Sequence, residues 1–286
     1  MAEDVKRTRW LAREFKELAE YAVRREDTGA APRNRQQLDD YSSGRAPLGH
    51  ATVPLRLLAS LRGAIGCAKV IAGDERGFSD IDLACLYNYW SIRILTRSFD
   101  LNERPDKQGH VLMDGVASCW MHAEAIGALG LRQWLDKLVT ETASGYLGVR
   151  GRDMNALCTL VAHYATRRPI AELERAGWAP IGAYASLLGG SFTARDYDAL
   201  AAYHQACVEE DDDEGHPPFH TYPYRVIPFE LLAISRRTGI PIEGEHPLLT
   251  TSLMRLRDVA EIPMSDELRG VVDRASKDLS FDQEPR

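Results

Sequence analysis

Several things are scarce in this chain of 286 residues, and each scarcity excludes a class. No apolar run approaches the roughly 20 residues that a membrane-spanning helix needs, so no membrane span is expected. Basic charge is not in surplus: 35 Lys and Arg stand against 42 Asp and Glu, a formal net charge of −7. Affinity for phosphate needs an excess of Lys and Arg, so a nucleic-acid binder is disfavoured. Cysteine is sparse and odd in number. Cys67, Cys85, Cys119, Cys158 and Cys207 are widely spaced, with no Cys-x-x-Cys pair. That pattern argues against a disulfide framework and for reduced, buried thiols in a cytoplasmic protein. The start, Met1 to Arg7, is charged and has no apolar stretch followed by a small-residue cleavage site, so no signal peptide is expected. Phosphate loops of the Gly-x-x-x-x-Gly-Lys-Ser/Thr type, Gly-x-Ser-x-Gly elbows and His-Glu-x-x-His pairs are all missing.

Strand signals are missing too. There is no sustained apolar–polar alternation and no Asn-Gly or Asp-Gly hairpin between β-branched runs. What is present is helical spacing. Leu11, Phe15, Leu18 and Ala22 mark one face of a helix over about 4–26. Further helices are predicted over about 53–72, from Ser79 onward, and around Cys119, Trp134 and Cys158. Others fall at about 170–176, 180–188, 194–208, 226–238, 248–258 and 265–278. Residues 27–50 are polar and rich in Gly, Pro, Asn and Ser, and read as a long loop. The fold expected is all-α: one domain over 1–286, built as an antiparallel array of about ten or more helices with no substantial sheet.

Charge is unevenly placed. Residues 1–199 carry 26 Lys and Arg against 25 Asp and Glu, whereas residues 200–286 carry 9 against 17. Much of that excess is one run, Glu209, Glu210, Asp211, Asp212, Asp213 and Glu214, followed by Gly215-His216-Pro217-Pro218. Six adjacent like charges repel, so 209–218 reads as an exposed acidic, proline-containing loop. It serves either as a solvated linker or as a docking surface that steers a basic partner.

Three short constellations invite chemistry. Ser79-Asp80-Ile81-Asp82-Leu83 resembles the metal-binding strand of minimal nucleotidyltransferases, where two carboxylates two apart hold Mg²⁺. The upstream Gly-Ser pair of that family is replaced here by Gly73-Asp74. On a helix the two carboxylates would diverge by about 200°. Ser79 as an N-cap, with Asp82 three residues on, explains the same letters. His122-Ala123-Glu124 resembles the His-x-Glu of zinc deaminases, but the Pro-Cys-x-x-Cys partner is absent. Cys119 and His122 lie three apart, and two ligands do not make a zinc site. His216 and His220 bracket Pro217-Pro218, which oppose a helical metal clip. No catalytic residue, metal or cofactor is assigned.

The most distinctive stretch is Tyr222 to Leu249. It contains Pro228-Phe229-Glu230, Arg236-Arg237, Gly239 and His246-Pro247-Leu248-Leu249. Pro228 suits a first helical turn, Glu230 the positive end of the dipole, and Gly239 the helix end. Pro228, Glu230, Arg237, Gly239, His246, Pro247, Leu248 and Leu249 together resemble a group of helical bacterial proteins encoded beside polymorphic toxins and type VI secretion effectors. The close match covers about a tenth of the chain. The resemblance implies a non-catalytic immunity protein in the cytoplasm of a Gram-negative bacterium. Such a protein binds a cognate toxin and occludes its active site, and the acidic bias of 200–286 points to a basic, nuclease-type effector. The matching residues themselves look structural. A degenerate nucleotidyltransferase using Asp80 and Asp82, and a helical scaffold or regulator, are the alternatives.

Overall fold

A computed structural model describes residues 2–27, 30–102, 113–143, 155–188, 190, 192–210, 219 and 221–279. Among the described residues there is no β-strand, and the chain is helical as expected. It divides into two compact units, where the sequence reads as one domain. One unit is Met1–Glu14 with Leu112–Ala260; the other is Phe15–Val111 with Glu261–Arg286. Helix α1 (Ala2–Asp27) contributes to both.

The second unit holds α2 (Ala30–Ser42), α3 (Gly49–Ile71), α4 (Gly77–Asn102) and α11 (Asp266–Leu279). Helices α3 and α4 form its most extensive pairing. Two glycines allow the close approach. A Cβ on Gly66 would lie 2.5 Å from the Gly77 carbonyl oxygen, and one on Gly77 would strike the Gly66 carbonyl. Between the helices Gly73 takes a left-handed turn (φ 88°), and Asp74 accepts the Arg76 backbone N–H at 3.1 Å.

Helix α2 overturns the reading of 27–50 as loop. Its only buried residues are Ala31, Leu38 and Tyr41, a stripe too thin to show through a polar sequence. Tertiary contacts hold it instead. It lies against α3 and α11, and the Tyr41 hydroxyl donates to Asp278 Oδ2 on α11 at 3.2 Å. Ser43 and left-handed Gly44 (φ 81°) then close it.

The first unit is built around α5 (Met113–Ala125), which is buried on almost every side. A helix with small residues such as Ala117, Ser118 and Ala123 beside Trp120 and Met121 can sit centrally, because neighbours approach it closely all round. Around it stand α6 (Leu129–Ala143), α7 (Ala156–Thr166) and α10 (Phe229–Thr238), with α10 its most extensive partner. Helices α8 (Ile170–Arg175) and α9 (Asp196–Glu209) and 3₁₀ turns at Gly182–Leu187 and Pro247–Thr250 complete the unit. Asn155 caps α7 by accepting the Cys158 N–H at 3.2 Å.

The helix expected over 248–258 does not form. After the turn at Pro247–Thr250 the chain is irregular. Bonds to segments distant in sequence replace helical ones there. Arg236 on α10 reaches the Arg257 carbonyl oxygen at 2.5 Å and Asp258 Oδ1 at 2.6 Å, and the Val259 N–H donates to the Ile126 carbonyl at 2.8 Å.

Candidate functional site

Residues 228–249 organise the polar interior of the first unit. Pro228 is the N-cap of α10, and its carbonyl accepts the Leu231 N–H at 3.0 Å. Gly239 ends the helix in the left-handed region (φ 72°), where only glycine is free of Cβ strain, and its N–H bonds the Ser235 carbonyl. His246 is the N-cap of the next turn: its Nδ1 accepts the Leu248 N–H at 3.3 Å, and Pro247 occupies the first position.

Glu230 has a larger task than the helix dipole. It is 2% exposed, and Oε1 lies 2.7 Å from Nδ1 of His204, which is 0% exposed on α9. His204 stacks on Phe219 with centroids 4.2 Å apart, and its Nε2 faces the Arg225 carbonyl at 3.4 Å. Arg225 in turn directs its guanidinium at Glu14 on α1, with contacts of 3.0 to 3.3 Å. Glu14 is 1% exposed, so two buried carboxylates are each matched by a cationic or imidazole partner. Near Glu230 the Tyr184 hydroxyl is buried with no hydrogen-bond partner among the described residues. Burial pushes that phenol well above its ordinary value, and the Glu230 charge adds to the push.

The two arginines at the end of α10 reach beyond their own helix. Arg236 also donates to the Ala125 carbonyl at 3.3 Å, closing the end of α5. Arg237 lies over Tyr164, 4.4 Å from the ring centroid, and 5.5 Å from that of Trp120, while pairing with Glu124 at 3.5 Å. Glu124 also pairs with Arg132 at 3.3 Å. Trp120 is held in place by its indole N–H donating to Asp136 Oδ1 at 2.7 Å.

Pro228, Gly239, His246 and Pro247 therefore shape helix ends, Glu230 forms a buried pair and Arg237 a partly exposed one, all in one unit. The acidic run begins at the opposite extreme of exposure. Glu209 closes α9 and Glu210 follows, both exposed. Asp211, Asp212, Asp213 and Glu214, and with them 215–218 and His220, lie outside the described residues.

The nucleotidyltransferase alternative meets a contrary geometry. Residues 77–102 are α-helical, so the strand it needs is not formed. Asp80 turns to α3, pairing with Lys69 at 2.5 Å and Arg62 at 3.6 Å, and successive carboxylates two apart on a helix point different ways. The N-cap reading of Ser79 is corrected as well. Ser79 is the third residue of α4, and the start is made by the Asp74–Gly77 turn, with the Gly77 N–H on the Asp74 carbonyl. Cys119 and His122 are both buried on α5, but among the described residues no three His, Cys, Asp or Glu side chains gather to hold a metal ion. All five cysteines are buried free thiols.

Sequence reasoning missed Glu14, His204, Arg225 and Tyr184. Glu14 sits between Leu11 and Phe15 of the apolar stripe of α1, which is the one hint available that it faces inward. Nothing local marks His204 and Arg225, whose partners are 21 to 211 residues away, or Tyr184, which is buried only by packing. Compared with known proteins, the chain matches no family model, no curated protein and no solved structure.

Proposed function

We propose that this chain is a non-catalytic immunity protein that binds a cognate bacterial toxin and blocks it. One observation carries the reading. The residues that resemble immunity proteins, from Pro228 to Pro247, serve as framework, while the acidic run opening at Glu209 and Glu210 starts on an exposed helix end. A rigid scaffold with a charged surface segment suits recognition of a basic protein. Fixed negative charge speeds encounter with such a partner and competes for a surface that would otherwise meet phosphate. A nuclease-type effector is the proposed class, and the cytoplasm, where the buried thiols stay reduced, is the proposed place of action. Among the described residues no helix is long and apolar enough to cross a membrane.

The experiment is co-expression with the product of the gene immediately upstream. Rescue of growth and co-purification as a complex are expected. A complex that forms without rescue, or rescue lost by neither partner's removal, would instead favour the scaffold reading. Replacing Glu209 to Glu214 by Gln and Asn should slow association and flatten its dependence on salt, without altering the fold of the chain.

A further inference from the structure

Among the described residues, three imidazoles are fully buried in the unit formed by Met1–Glu14 and Leu112–Ala260: His122, His204 and His246. In the other unit the described histidine is His50, and it is exposed. His204 has a carboxylate partner in Glu230. The other two do not, and the reasons are geometric.

His122, on α5, stacks on Phe229 with ring centroids 3.7 Å apart and meets Tyr224 edge-on at 5.9 Å. Neither ring nitrogen has a hydrogen-bond partner among the described residues. An imidazolium has two donors, and here both would point into apolar or aromatic surroundings. The charged group bearing on it is Arg257, of like sign. Nearby charges are already engaged: Glu124 with Arg132 and Arg237, and Arg236 with Asp258. His246 is fixed in one neutral tautomer by its two bonds. Nδ1 accepts from the Leu248 N–H, and Nε2 donates to Gln205 Oε1 at 3.1 Å. A proton added at Nδ1 would face the Leu248 N–H. Arg7 of α1 and His204 of α9 bear on it with positive sign. Asp198 opposes them, but its Oδ1 already accepts the Glu245 and His246 backbone N–H groups at 2.8 and 2.7 Å.

We propose that His122 and His246 make this unit an acid-sensitive element: each must lose its buried seat to become charged, so acidification opens the α5–α10 packing and the 246–250 turn while leaving the α3–α4 unit closed. Burial, and then Arg257, holds His122 well below the ordinary imidazole value, and burial, and then Arg7, holds His246 at about 4. The sign follows by linkage. Both groups bind protons more tightly when unfolded, near 6.5, than when folded. Stability is full above the unfolded value and falls as pH drops below it, levelling only beneath the folded values.

The test is a set of urea titrations of the full chain between pH 5 and 6, for the natural sequence, His122→Phe and His246→Asn. Phenylalanine keeps the stack on Phe229, and asparagine keeps an acceptor for the Leu248 N–H. The unfolding constant of the first unit should rise about tenfold less per pH unit in each variant than in the natural chain, because one linked proton is removed. This slope is independent of any change in absolute stability, and His204–Glu230 is common to all three. Hydrogen exchange after an acid pulse should show 113–143 and 221–260 losing protection before 49–102. His246→Gln replaces His246→Asn if that variant does not fold. An unchanged slope in His122→Phe, or earlier loss of protection in 49–102, overturns the proposal.

Discussion

The two units solve the same problem, burying a helical core, by different chemistry. The unit of α2, α3, α4 and α11 relies on close backbone approach, with Gly66 and Gly77 letting α3 and α4 meet, and on the fully buried phenols of Tyr41 and Tyr87. Tyr41 donates to Asp278, and Tyr87 donates to Glu267 at 2.6 Å and lies 2.8 Å from the Ser265 hydroxyl. The unit around α5 buries more ionisable groups than the Asp82 of the other: among the described residues they include Glu14, Glu230 and three histidines. Small residues at a helix contact yield rigidity that does not depend on pH. Buried ionisable groups yield specificity of arrangement, at the cost of sensitivity to protonation and to loss of a partner.

That contrast can be pressed by mutation, and the largest effect belongs to the polar unit. Glu230→Ala leaves His204 buried with no carboxylate, and should cost about 3–5 kcal/mol, read as a fall in the urea midpoint of the α5 unit. A loss below about 1 kcal/mol would show that the pair is replaceable and remove the central difference between the units. Gly66→Ala comes next. Its Cβ meets backbone at the Gly77 carbonyl and not a flexible side-chain tip, so overpacking of about 1–3 kcal/mol is expected, confined to the α3–α4 unit. Thermal melts with hydrogen exchange as the local readout check it. Tyr87→Phe removes a hydroxyl from Glu267 and Ser265, and should cost about 0.5–1.5 kcal/mol without adding pH dependence between 5 and 7. The smallest effect is expected at Arg45→Ala. Arg45 pairs with Asp39 and Asp40 on an exposed surface, and its loss should leave the melting curve superimposable in moderate salt.

How much of this could be read in the sequence varies with how local the cause is. Of the α1 stripe, Leu11, Leu18 and Ala22 are buried and Phe15 is half-buried, since 3.6 residues per turn fixes the face. The end of α10 at Gly239 is likewise local, because a left-handed residue after a helix favours glycine. By contrast α2 reads as loop in the sequence, because three buried residues in thirteen give little pattern and its stability comes from α3 and α11. The 248–258 segment reads as helix and is not, because beyond the Pro247–Thr250 turn Arg236 supplies bonds from another helix. Glu230 was legible as a dipole partner, but its buried bond to His204 was not.

The sequence by itself determined the helical class, the ends of helices such as α10, and the concentration of acidic charge after residue 200. Those follow from φ preferences, helical spacing and counting, which need only neighbouring residues. Tertiary structure decided which carboxylates and imidazoles are buried, and which partner each receives. It also made α2 a helix and left 251–260 irregular. The physical reason is that desolvation and pairing depend on groups far away in sequence, and those meet only once the helices have packed.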